Sequence, residues 1–79
     1  MGTKNKPGRF DCYNAAEPDE PMFVLLGRDP HASELVAAWA NRRRMEIDMG
    51  VRPKSDLPKV KEATACAVAM RKFWKKRED

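Results

Sequence analysis

The stretch Met22–Trp39, MFVLLGRDPHASELVAAW, reads as a buried strand, a tight polar break and a helix start in eighteen residues. Phe23-Val24-Leu25-Leu26 is a short apolar run bounded by Pro21 and Gly27, the pattern of a buried strand. Asp29-Pro30 then signals a helix start. Asp is a favoured N-cap, and Pro suits the first helical position, where its missing N–H leaves no bond unmade.

Upstream, Phe10-Asp11-Cys12-Tyr13 alternates apolar and polar residues and reads as a second short strand. Asn14 to Pro21 lets the chain reverse, which predicts antiparallel pairing of 10–13 with 23–26. Two strands alone are unstable and must pack on something. Residues 1–9, MGTKNKPGR, are polar and contain Pro7-Gly8, so they read as a disordered N-terminal arm ahead of a single domain over 10–79.

Downstream, a helix is expected over about 30–49. Leu35, Val36, Trp39, Ala40 and Ile47 recur on one face, and Gly50 is a natural stop. Ser55 or Asp56 is expected to cap a second helix over about 57–76, with Pro58 in its first turn. Val60, Ala63, Cys66, Ala67, Met70, Phe73 and Trp74 form its apolar face. The short connector makes the helices antiparallel neighbours. The expected fold is therefore α+β and mostly α: a two-helix hairpin packed with a short N-terminal β-hairpin or extended arm. Trp39 and Trp74 are its expected large core residues. Alanines at 63, 65, 67 and 69 keep the second helix thin, and a thin helix in a domain with a marginal core suits a homodimer.

Seventy-nine residues make one small domain. Cys12 and Cys66 are too few for a disulfide framework and, with one histidine, too few for a zinc site. The N-terminal residues lack the apolar segment of a signal peptide, and no run reaches the roughly 18 apolar residues of a membrane span. The glycines stand singly, so no phosphate loop is present. His31 has no nucleophile or orienting carboxylate specified beside it. Glu17, Asp19 and Glu20 lack the spacing of a calcium loop and read as a solvated acidic turn. These features predict a non-catalytic protein that needs no cofactor or metal.

The net charge of +4 is concentrated at one end. Residues 1–21 carry a net −1, residues 22–50 zero, and residues 51–79 a net +5. Arg42, Arg43 and Arg44 fan over roughly 200° of a helix, so one must pack its stem near the interface. Arg71, Lys72, Lys75, Lys76 and Arg77 end the second helix, where cations suit the dipole. Folding the hairpin near residue 53 brings Arg28 and His31 to the Lys75 end, and Lys59 and Lys61 to the Arg42–Arg44 end. Either one elongated basic stripe or two patches results. Arg28, His31, Arg42, Arg43, Arg44, Arg71, Lys72, Lys75 and Lys76 are the expected partner- or nucleic-acid-binding residues. No base-reading module is present, and no stacking aromatic is expected among these cations, so nucleic-acid binding would be non-specific and salt-sensitive.

Tyr13, Asp19-Glu20-Pro21, Phe23–Leu26, Gly27-Arg28-Asp29, Leu35-Val36 and Trp39-Ala40 together form a pattern. In it the chain resembles a group of small uncharacterised proteins encoded by bacteriophages and prophages, over a little more than a third of its length. The resemblance brings no catalytic residue. It implies a phage-encoded inhibitor in the host bacterial cytoplasm that binds and blocks a host protein or nucleoprotein complex, with a CRISPR effector complex as the leading target. A non-specific nucleic-acid-binding accessory protein and a structural or assembly protein are the alternative readings.

Overall fold

A computed structural model describes the backbone of residues 1–78 and the side chains of residues 1–76. Three α-helices follow in order: α1 Cys12–Ala15, α2 Ala32–Asp48 and α3 Leu57–Glu78. A single 3-10 turn, Lys54–Asp56, leads into α3. Among the described residues there is no β-strand, so the expected α+β fold with an N-terminal β-hairpin is wrong and the domain is helical.

The strand pair fails at its first member. Cys12 and Tyr13 enter the helical turn α1, closed by Ala16 N–H donating to the Cys12 carbonyl at 2.8 Å. Phe23–Leu26 is left without a partner strand, and a lone four-residue strand has no ladder to hold it. Residues 1–9, expected as a disordered arm, contain no helix or strand. The Met1 ammonium meets Asp11 at 2.5 Å and also pairs with Glu62 of α3.

α2 and α3 form the body of the domain. They run antiparallel. Gly27, a few residues before α2, lies against Met70 and Phe73 late in α3, while Arg43 late in α2 pairs with Asp56, the residue just before α3. On α3 the inward positions 60, 63, 67, 70 and 74 recur at alternating steps of three and four, the period of a helix–helix seam. On α2 the inward positions 32, 36, 40, 43 and 47 follow at steps of four, four, three and four, which also keeps them on one face.

The buried core is Ala32, Ala40, Ile47, Val60, Ala63 and Ala67. Four of these six are alanine, so the backbones approach closely and the seam has no room for an indole. Neither tryptophan is fully buried: Trp39 packs half-buried against the edge of the core, and Trp74 is half-buried. Leu35 and Phe73, assigned to the inner faces, are about half exposed at 54% and 51%. The Cα radius of gyration of 13.4 Å exceeds the roughly 12 Å of a compact chain this long. This small core leaves much apolar surface open.

The helix ends follow local chemistry. Asp29 does not cap α2. Its carboxylate accepts the His31 N–H at 2.8 Å and its carbonyl the Ala32 N–H, so the Asp-Pro turn closes on itself and α2 starts at Ala32. Neither Ser55 nor Asp56 caps α3, because the 3-10 turn serves as its lead-in and Asp56 turns to Arg43. At the other end of α2, Gly50 adopts φ +79°. Gly50 N–H donates to the Ile47 carbonyl and Val51 N–H to the Glu46 carbonyl, the paired bonds of a Schellman stop. A Cβ at Gly50 would meet nothing within 4 Å, so Gly50→Ala costs only backbone strain. The expected loss is about 1 kcal/mol, read as a lowered thermal midpoint in circular dichroism.

Candidate functional site: a basic concavity around Trp39

The stop at Gly50 turns Arg52 back toward α2. Arg52 N–H donates to the Glu46 carbonyl at 3.2 Å, and the Arg52 Nε sits 3.8 Å from the Glu46 carboxylate. Arg42 and Arg43, one turn before the end of α2, face the same space. Together Trp39, Arg42, Arg43, Glu46 and Arg52 line an open concavity of about 270 Å³.

Trp39 is its floor. The Arg43 guanidinium carbon lies 5.0 Å from the centre of the Trp39 ring, and the Lys59 ammonium of α3 lies 5.8 Å from it. Both fall within the reach of cation–π attraction. Arg43 is the member of the Arg42–Arg44 trio that packs its stem inward, because position 43 falls on the seam. Its head reaches Asp56 at 3.6 Å. Arg44 is exposed and does not line the concavity.

Charge can be counted directly. Arg42, Arg43, Arg52 and Lys59 contribute four positive charges, and Glu46 and Asp56 two negative ones, so the site carries a net +2. Arg42 has no ion-pair partner among the described residues. The geometry suits a phosphate or carboxylate at the rim with a flat group near the indole. A stacking aromatic therefore does sit among the cations, contrary to expectation. Reading Trp39 as core hid it. Arg52 was missed because only the Schellman turn brings it to residue 42. Lys59 was placed at this end by the hairpin register.

Arg28, His31, Arg71, Lys72, Lys75 and Lys76 are all exposed. The packing of Gly27 on Met70 and Phe73 puts Arg28 at the same end as the α3 cations. From Lys59 to Lys75 is sixteen residues of α3, or about 24 Å. Between them the helix carries Lys61, Glu62 and then no charge before Arg71. The basic residues thus form two patches at opposite ends of the hairpin, and the one at Trp39 is concave.

Other groups stand apart. Glu20 accepts the Glu17 N–H at 3.0 Å, which closes the acidic turn. Among the described residues no cluster of His, Cys, Asp or Glu is placed to hold a metal ion, and no helix is long and apolar enough to cross a membrane. Cys12 and Cys66 are free thiols, and burial pushes the Cys66 thiol above its ordinary pKa, which keeps it protonated and weakly nucleophilic. No protein-family model, curated protein or solved structure matches the chain.

Proposed function

We propose that this protein is a non-catalytic binding protein, a phage-encoded inhibitor that docks on a polyanionic host nucleoprotein complex and blocks it. A CRISPR effector complex is the leading target. The observation that supports binding to a polyanion is the concavity at Trp39, where Arg43 and Lys59 lie over the indole and Arg42 and Arg52 line the same space. The phage origin and the identity of the target rest on the resemblance carried by Asp19–Pro21, Phe23–Asp29 and Trp39-Ala40. Blocking needs no chemistry. A domain of 9.0 kDa seated on a nucleic-acid path excludes the nucleic acid by occupancy and charge.

The test is affinity purification of the tagged chain from a CRISPR-active host, paired with a plasmid-interference assay. Recovery of the effector complex with loss of interference is the expected result. Recovery of no effector complex, with interference intact, overturns this reading.

A second reading, a non-specific nucleic-acid-binding accessory protein, is favoured by the same indole, since bases stack on aromatic side chains regardless of sequence. It predicts direct binding of a single-stranded oligonucleotide. Four cations facing phosphates give a log affinity against log salt slope of about −3. An absent gel shift at low salt removes it.

A further inference from the structure

Two of the cations at the Trp39 concavity are held without being satisfied. Arg43 approaches Asp56 to 3.6 Å, and the Arg52 Nε approaches Glu46 to 3.8 Å. A charge-assisted hydrogen bond is about 2.7–2.9 Å long, so both pairs are loose charge contacts. Among the described residues, no guanidinium N–H of Arg42, Arg43 or Arg52 makes a hydrogen bond. An arginine fork has five N–H donors, set to match the oxygens of a phosphate. All three groups therefore have their bonds still to give. Arg42 is exposed and carries no carboxylate at all.

We propose that Glu46 and Asp56 are internal competitors of the polyanion, resting on Arg52 and Arg43 in the free protein and displaced from them when a phosphate strand binds. The proposal rests on the polyanion reading above and names the two residues that set its affinity. Arg42 is the entry contact, because nothing has to leave it. A phosphate seated there brings its neighbours on the strand to the other two arginines at high effective concentration. Each exchange replaces a loose pair by a charge-assisted hydrogen bond and returns a carboxylate to water. A carboxylate that stays beside the strand repels it instead.

The arrangement selects for charge density. An isolated anion on Arg43 or Arg52 has one carboxylate to displace and one arginine to gain. A strand gains three arginines for two displacements. Glu46 and Asp56 thus lower binding to sparse anions and reserve the site for a dense one.

Fluorescence anisotropy with a labelled oligothymidylate of about eight nucleotides, at about 50 mM salt, tests the proposal. Glu46→Gln and Asp56→Asn are each expected to tighten binding roughly two- to fivefold, and the double variant about tenfold. Asp48→Asn is the control for net charge. Asp48 is exposed, pairs with no cation, and lies about 200° around α2 from Glu46. Its removal is expected to change affinity less than twofold. Circular dichroism accompanies each variant, and Glu46→Gln decides the matter alone if Asp56→Asn unfolds.

Glu46→Gln binding no tighter than Asp48→Asn overturns the proposal. Weaker binding by Glu46→Gln also overturns it, since Glu46 would then be positioning Arg52 for the ligand. An oligothymidylate that binds neither wild type nor variants does the same. Recovery of the host complex with these ratios absent removes the competitor role and leaves the proposed function standing. The ratios without the host complex remove the inhibitor reading and leave the competitor role.

Discussion

Ala63→Leu lowers the stability of this domain by about 2–3 kcal/mol, and its thermal midpoint by roughly 10–20 °C. Ala63 is 0% exposed and sits in the seam with Ala40, Ile47 and Val60. A leucine adds three carbons where two backbones already approach closely. Either α2 is pushed away along its length or the new side chain takes a strained rotamer. The loss is a large part of what a single small core provides. Ala65→Leu is the control. It lies on the same helix, is exposed, and leaves helix propensity nearly unchanged. Thermal unfolding of the pair separates seam width from helix preference. Equal midpoints would contradict an alanine seam.

The paired reversal Arg42→Glu with Arg52→Glu lowers partner binding by about a hundredfold. It turns the +2 concavity into a net −2 one, while Trp39 and the seam are left in place. Both side chains point into solvent-accessible space and neither belongs to the core, so the helical spectrum and thermal midpoint are expected to stay near wild type. In the host assay that tests the proposed function, the variant is expected to lose whatever complex the wild type recovers. With an oligonucleotide, the salt slope falls from about −3 to about −1.5, as two phosphate contacts are lost. The matching reversal of Lys75 and Lys76, at the far end of α3, is expected to change affinity several-fold less. Equal losses at the two ends would mean that general positive charge, rather than the concavity, does the binding.

The helical hairpin was legible in the sequence because three local signals agreed. The apolar positions of 32–47 and 57–74 recur at helical spacing, Gly50 stands where a left-handed stop is required, and the connector is short. The errors arose where a local signal needed a distant partner. Phe23–Leu26 has the composition of a strand, but a strand exists only with a neighbour, and residues 12–15 had become a helical turn. Asp29-Pro30 has the composition of a cap, but the Asp29 carboxylate is used within its own turn. Size misled for the tryptophans. A large apolar residue at an inward position suggests core, yet alanines at 32, 40, 63 and 67 narrow the seam until an indole fits only at its edge. That same narrowing puts Trp39 beside Arg43 and Lys59 and makes the candidate site. Arg52 carried no sequence signal for this role, because ten residues separate it from Arg42 and only the Schellman bonds bring it back.

The stop at Gly50 also sets the order in which the molecule closes and opens. Contacts beside it, such as Arg43 with Asp56 or Ile47 with Val60, span about a dozen residues of chain, while Gly27 against Met70 spans more than forty. Short loops cost less entropy to close, so the hairpin zips outward from the turn, with the speed of a fold dominated by local pairs. Opening runs in the opposite direction. The end that frays first carries Met22–Leu26 and the far cations, while the Trp39 concavity lies next to the fastener and stays assembled through those fluctuations. One half of this small domain keeps its shape for a partner, and the other half is free to rearrange around one.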